Sequence, residues 1–103
     1  MRGDKREDKY MDMYSPIIEF EFKKWPEDFY EFAKLIKNYW REDYGYYQLW
    51  GNKLWLSTGG WSENESIMSA IDRNKTFNMV CWSEIKRGGH YKYELPKKNT
   101  PQL

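Results

Sequence analysis

The sequence predicts an α+β domain with the ferredoxin-like order of strand, helix, strand, strand, helix and strand, plus a fifth strand at the sheet edge. Apolar residues alternate in several short segments, which indicates strands, and recur every three or four residues in two longer segments, which indicates helices. Glycine-rich turns separate these segments. We therefore expect one antiparallel-rich sheet with two helices on one face, built from a chain of 103 residues.

The N-terminal part is predicted to contain a tail, a strand and a helix. Residues 1–13 carry many charges and few apolar side chains, which is typical of a mobile tail. Apolar and acidic residues alternate over Ile17–Lys23, which indicates a strand. A helix is expected from Pro26 to Trp40, because proline is favoured at the first helical position and one apolar stripe follows. That stripe consists of Phe29, Phe32, Ala33, Ile36, Tyr39 and Trp40.

The remaining elements follow at short intervals. Two strands, Tyr44–Trp50 and Lys53–Ser57, flank a Gly-Asn pair that is typical of a two-residue hairpin turn. A second helix is predicted over Ser62–Asn74, and two further strands over Phe77–Ile85 and Tyr91–Leu95.

The ferredoxin-like order places two loops side by side. In that topology the strands Lys53–Ser57 and Phe77–Ile85 flank the first strand, run the same way and end at one rim of the sheet. The loops that follow them, Ser57–Ser62 and Arg87–His90, would then converge at this rim.

The predicted domain covers residues 14–96 and leaves a short tail at residues 97–103. Its edge strands would be Tyr46–Trp50 and Tyr91–Leu95, both rich in aromatic residues. Pairing of such edges across a two-fold axis would produce a homo-oligomer.

Composition narrows the classes of function. The 17 basic and 16 acidic residues leave a net charge of +1, so no bulk field favours nucleic acid or an anionic membrane. Aromatic residues make up 19% of the chain, more than so small a core needs, and we expect several at the surface. A single cysteine excludes an internal disulfide and a cysteine-cluster metal site. No segment resembles a signal peptide or a membrane span, which indicates a cytosolic protein.

The first glycine motif is Thr58-Gly59-Gly60-Trp61-Ser62. Ser62 and Glu65 have the spacing of a capping box, so Ser62 is the predicted N-cap of the second helix. Unpaired N–H groups and the helix dipole favour an anion at such an end, with the Thr58 and Ser62 hydroxyls as further donors. The alternative is an ordinary strand-to-helix turn.

The second glycine motif is Arg87-Gly88-Gly89-His90-Tyr91, which contains the only histidine. Arginine is suited to bind an anion, and His90 lies next to it in the sequence. Trp61 and Tyr91 belong to these two loops and would stack on the ring of a nucleotide-like ligand. Trp61 fits the role of a helix-packing anchor equally well. The alternative is a hairpin turn with exposed charges.

Other chemistries have weaker support. Cys81 is predicted to be a small buried hydrophobe, and no metal or other cofactor is expected. If the protein were an enzyme, His90 would be the general base of a small hydrolase, with Ser57 or Ser62 as nucleophile or Glu65 as its partner.

An RNA-binding sheet face is a further alternative. Trp55 and Trp82 would provide stacking surfaces. Against it, the predicted first strand would place Glu19 and Glu21 on the same face, where they would repel phosphates, so nucleic acid is disfavoured.

The two glycine motifs, Thr58-Gly59-Gly60-Trp61-Ser62 and Arg87-Gly88-Gly89-His90-Tyr91, resemble those of a family of small proteins encoded by tailed bacteriophages. The resemblance covers about residues 46–95. It implies an accessory, host-directed protein in the host-cell cytoplasm and no particular chemistry. The two glycine motifs with Arg87 and His90 indicate a binding protein for a small anionic or nucleotide-like ligand, and the resemblance implies a use in blocking bacterial defence. The main alternative is an inhibitor that binds a host or defence protein through an aromatic surface.

Overall fold

The computed structural model describes residues 13–43 and 45–98. The helices are α1 (Ser15–Ile18), α2 (Glu27–Tyr39), α3 (Ser62–Arg73) and α4 (Lys75–Val80), and the strands are β1 (Tyr46–Trp50), β2 (Lys53–Ser57), β3 (Trp82–Lys86) and β4 (His90–Glu94). Two helices therefore precede each of two β-hairpins. Residues 1–12 of the predicted N-terminal tail and residues 99–103 of the predicted C-terminal tail lie outside the described residues.

The four strands form one sheet in the order β1-β2-β4-β3, and every neighbouring pair is antiparallel. The α+β prediction is confirmed, but the ferredoxin-like order is wrong, because none of these strands is a central strand that precedes α2. The segment Tyr91–Leu95 was expected at an edge, whereas β4 lies inside the sheet and the edges are β1 and β3.

The predicted strand Ile17–Lys23 is replaced by α1 and a following stretch without secondary structure. Proline in the first turn of α1 is compatible with a helix start. Phe20 and Phe22 do point into the protein, because their rings lie 5.2 Å and 5.2 Å from the ring of Phe32 in α2. The alternation of apolar and acidic residues therefore reflects an extended segment that packs on α2 and not a strand that pairs with other strands.

The predicted strand Phe77–Ile85 is also wrong in its first half. The side chain of Asn74 accepts a hydrogen bond from the backbone N–H of Phe77 at 3.1 Å and so caps α4. Phe77 is fully buried on this short helix, and β3 begins only at Trp82. A buried run of this length does not distinguish helix from strand by its periodicity.

The other boundaries are close to those expected. The hairpin β1–β2 pairs Trp50 with Lys53 across the Gly-Asn turn, as predicted. Helix α2 ends one residue before Trp40 and α3 ends one residue before Asn74. Tyr44, the first residue of one predicted strand, lies outside the described residues.

The hydrophobic core lies between one face of the sheet and the helices. Leu54, Leu56 and Tyr93 enter it from the sheet, and successive residues of each strand point to opposite faces. From the helices come Ile17, Phe29, Phe32, Ala33, Ile36, Ile67, Ala70, Ile71 and Phe77, all nearly or fully buried. The opposite face of the sheet is turned away from the helices, and we call it the open face.

Asn74 connects three parts of the chain and gives a test of this arrangement. Besides capping α4, its amide nitrogen donates to the carbonyl oxygens of Ile17 at 2.9 Å and Phe20 at 3.2 Å. We expect Asn74→Ala to lower the free energy of unfolding by about 2–4 kcal/mol, because it leaves buried backbone groups unpaired. Urea denaturation measures this loss. The exposed control Asn38→Ala should change it by less than about 0.5 kcal/mol, and equal effects of the two would contradict the assignment.

Candidate functional site

The two glycine motifs lie next to each other in space. β2 and β4 are antiparallel, and their register places Ser57 opposite His90. Directly beyond this pair, the backbone N–H of Thr58 donates to the carbonyl oxygen of Gly89 at 3.0 Å. The loops therefore meet because the strands that carry them pair directly, not because two parallel strands end at one rim.

The first glycine corner is a tight turn on a buried threonine. Gly59 and Gly60 have positive φ angles of 64° and 72°, a region that glycine adopts without strain. The N–H of Trp61 donates to the carbonyl oxygen of Thr58 at 3.0 Å, and the hydroxyl of Thr58 accepts from Gly60 N–H at 3.3 Å. The Thr58 hydroxyl thus stabilises the turn instead of facing a ligand.

The second corner packs against the first. Gly88 and Gly89 have φ angles of 86° and 79° in the turn from β3 to β4. A Cβ atom at Gly89 would collide with the Oγ1 of Thr58. A glycine is therefore required at this position both by the backbone angle and by the close approach of the two loops.

The start of α3 differs from the prediction. Trp61, not Ser62, is the N-cap, and no side chain caps this end, so the predicted capping box is not formed. The carboxylate of Glu63 in the first turn accepts hydrogen bonds from Trp61 Nε1 at 3.1 Å and from Arg41 Nη1 at 3.0 Å. Because Glu63 already brings negative charge to this end, the helix start is a poorer anion site than the sequence indicates.

A buried asparagine fixes α3 to the first glycine corner. The Asn64 side chain is fully buried and donates to the carbonyl oxygens of Thr58 at 3.3 Å and Arg41 at 3.1 Å. Its Oδ1 accepts from the Arg41 N–H at 2.8 Å. Sequence reasoning missed this residue, although Asn64 falls on the same helical stripe as Ile67 and Ile71, which is a signal for a buried polar group.

The open face is the side of the sheet away from the helices, and three rows of side chains cross its four strands. The row beside the glycine corners is Tyr46, Ser57, His90 and Lys86, the middle row is Gln48, Trp55, Lys92 and Glu84, and the far row is Trp50, Lys53, Glu94 and Trp82. Trp50 and Trp82 are 72% and 57% exposed, so the face is aromatic as well as charged.

A cleft of about 260 Å³ opens on this face next to the glycine corners. We call it the open-face cleft, and it is lined by Tyr46, Trp55, Leu56, Ser57, Glu84, Lys86, His90, Tyr91 and Lys92. Inside it Ser57 Oγ lies 2.6 Å from His90 Nδ1, within hydrogen-bond distance. Among the described residues no carboxylate contacts His90, so the serine and histidine lack the third group that orients a catalytic base.

Lys92 is held between two indoles at the centre of the open face. Its ammonium lies 5.0 Å from the ring centroid of Trp55 and 5.8 Å from that of Trp82, within the range of cation–π contacts. It also lies 3.5 Å from the Glu84 carboxylate. The Lys86 side chain is 69% exposed, and its ammonium lies 3.8 Å from the other carboxylate oxygen of Glu84. Lys86 is therefore the more available cation of the cleft.

The remaining predicted site residues are divided between the two faces. Arg87 is exposed in the loop beside His90. Tyr91 pairs with Leu56 and Ile85, so its ring belongs to the helix side of the sheet. Trp61 is engaged with Glu63 at the helix start. Trp61 and Tyr91 do not form one stacking surface. Of the aromatic residues that line the cleft, Tyr46 and Trp55 have their rings on the open face, and sequence reasoning did not assign either of them to the site.

Cys81 follows α4 and is buried, as predicted. Burial raises the pKa of its thiol to about 12, which keeps it protonated at neutral pH and excludes it as an activated nucleophile there. Across residues 13–43 and 45–98, His, Cys, Asp and Glu side chains form no group of three or more that could hold a metal ion.

None of the helices in the described part of the chain has both the length and the apolar character that a membrane span requires. Comparison of the chain with known protein families, with curated proteins and with solved structures finds no match.

The close approach of the two corners gives a matched pair of variants. Gly60 and Gly89 both have positive φ, but a Cβ atom at Gly60 would have free space whereas one at Gly89 would meet Thr58. We expect alanine at either position to cost about 1–2 kcal/mol of backbone strain, and Gly89→Ala to cost at least about 1 kcal/mol more for the displaced Thr58. Urea denaturation compares the two variants. A loss no greater for Gly89→Ala would contradict the packing described.

Proposed function

We propose that the chain is a phage-encoded binding protein that captures a small ligand with a planar ring and an anionic group, a nucleotide being the class that fits best. The proposed binding site is the open-face cleft rather than the start of α3. One observation carries this: a single row places the ring of Tyr46, the Ser57–His90 pair and the ammonium of Lys86 side by side. At about 4.8 Å per strand this row spans roughly 14 Å, enough for a base and a phosphate together.

The charges of the cleft favour an anion at its β3 side. Lys86 and His90 are directly opposite each other, and Arg87 extends the positive charge into the adjoining loop. Among the residues that the structure describes, Glu84 is the one acidic side chain that lines the cleft, and Lys92 and Lys86 both lie within 4 Å of its carboxylate. A phosphate bound there would accept hydrogen bonds from the Lys86 ammonium, the His90 ring and the Ser57 hydroxyl.

The aromatic residues of the cleft favour a ring at its β1 side. Trp55 is 39% exposed and Tyr46 is 49% exposed, so both offer a stacking surface to solvent. Stacking of a base on such a residue contributes about 1–3 kcal/mol. The phage origin and the location in the host cytoplasm are part of this proposal and rest on the two glycine motifs. Sequestering a nucleotide signal of bacterial defence is the role consistent with them.

Calorimetric titration with a panel of nucleoside mono- and triphosphates and cyclic dinucleotides tests the proposal. We expect at least one to bind, and Trp55→Leu to weaken its binding by about tenfold or more because the stacking surface is lost. Lys86→Ala should weaken it about tenfold through the lost charge-assisted contact.

Two variants on the same face are matched controls. Trp50→Leu and Lys53→Ala remove the same types of side chain from the far row, outside the cleft, and should leave binding unchanged. Equal loss in the cleft variants and the controls, or no binding of any nucleotide to the wild-type protein, would contradict the proposal.

A second candidate is an inhibitor that binds a host or defence protein through the open face. The observation in its favour is that Trp50 and Trp82 are largely exposed in the far row, where they do not line the cleft. Exposed tryptophans are frequent anchors of protein interfaces.

Co-purification with host proteins distinguishes the two candidates. The inhibitor function predicts one stoichiometric partner that is lost with Trp50→Ala and Trp82→Ala, retained with Lys86→Ala and not displaced by nucleotides. If the partner co-purifies equally well with the wild-type protein and with both tryptophan variants, the open face is not the interface.

A further inference from the structure

The edge strand β3 is exposed on both of its faces. On the open face Trp82 is 57% exposed, and on the helix side Ile85 is 68% exposed. Met79, which precedes the strand on α4, is 84% exposed. An edge strand with exposed apolar side chains offers its free backbone N–H and C=O groups, and these side chains, to another strand.

The other edge strand, β1, is held against the helices. The Tyr47 hydroxyl donates to the carbonyl oxygen of Ala33 in α2 at 2.7 Å, and Tyr47 and Leu49 are half-buried. On β3, Ser83 and Ile85 face the helix side but remain exposed, and Ile85 lies at the border of an open groove beside α3. The two edges are therefore not equivalent, because β3 exposes large apolar side chains on both faces of the sheet whereas β1 exposes them on the open face alone.

We propose that a second copy of the chain pairs with β3 in antiparallel fashion, about a two-fold axis that passes between Ile85 and the partner's Ile85. This register makes two favourable pairings at once. On the helix side the two exposed isoleucines face each other. On the open face Glu84 lies opposite the partner's Lys86 and Lys86 lies opposite the partner's Glu84, so that the charges of one edge complement those of the other.

Neighbouring registers lack this complementarity. A two-fold axis perpendicular to the sheet keeps the open faces of both copies on the same side. Such an axis must pass between one residue of β3 and the same residue of the partner's β3. Centring it on Glu84 would place two carboxylates directly opposite each other, which is destabilising. Centring it on Ser83 would leave Lys86 without an opposite charge and Ile85 without its apolar partner.

The resulting dimer would have one continuous eight-stranded sheet, with the two open-face clefts on the same side and β3 at its centre. This inference does not depend on the proposed function, because it rests on the edge strand alone and its readout is mass. Binding in the cleft and dimerisation can therefore fail separately.

Analytical ultracentrifugation of the full chain tests the dimer across about a hundredfold range of concentration, because association follows mass action. We expect a species of twice the 12.7 kDa chain mass. Ile85→Lys should raise the dissociation constant at least about tenfold, since it replaces the apolar pair by two like charges. Ile85 is mostly exposed, so this variant should keep its fold, which circular dichroism verifies.

Charge reversal tests the register itself. Glu84→Lys alone and Lys86→Glu alone should each weaken the dimer about tenfold by creating two like-charge contacts, and the double variant should restore it. Glu31→Lys, an exposed reversal on α2, should have no effect. A protein that stays monomeric at every concentration would overturn the proposal, as would a dimer that is indifferent to Ile85→Lys or a double variant that is not restored.

Discussion

The direct antiparallel pairing of β2 with β4 is the constraint on which the rest of the structure depends. It joins the two β-hairpins into one sheet, and its register sets Ser57 against His90. The same register continues past the strands into the hydrogen bond between Thr58 and Gly89. A slip of this pair by one residue would turn Leu54 and Leu56 out of the core and separate the loops.

Two buried asparagines fix the helices to neighbouring loops and to one another. Asn64 satisfies backbone groups at Thr58 and Arg41, so that α3 starts at a defined distance from the first glycine corner. At the other end of α3, Asn74 caps α4 and donates hydrogen bonds to the carbonyl oxygens of Ile17 in α1 and of Phe20 in the segment that follows it. Each asparagine side chain forms hydrogen bonds with backbone groups that would otherwise be buried without a partner. These bonds hold the loops beside the helices in one arrangement.

The sequence predicted the parts of the fold that local chemistry determines. The amphipathic stripe of α2, the Gly-Asn hairpin and the second helix were placed within a residue or two. The error over Ile17–Lys23 arose because alternating apolar residues indicate only that one side is buried. In the structure this side packs on Phe29 and Phe32 of α2 and not on another strand. The alternation within Ile17–Lys23 does not reveal which partner buries the segment.

The two glycine corners were predictable from the sequence, but the residues of the open-face cleft were not. The glycine pairs marked the two corners, because only glycine adopts those backbone angles freely. That Tyr46, Trp55 and Lys86 line the same cleft could not be inferred, since this depends on which strands are neighbours in the sheet. The same topology also removes the charge argument against RNA on the open face, because Glu19 and Glu21 lie outside the sheet.

Mapping of backbone amide and indole N–H chemical shifts by NMR, during titration with a nucleotide, tests the central claim most directly. If the open-face cleft binds the ligand, the largest changes will occur at Ser57, Lys86 and His90 and at the indole of Trp55. The amides of Trp61 and Ser62 at the start of α3 will change little. Shifts concentrated at the start of α3, or none at a saturating concentration, would contradict the account.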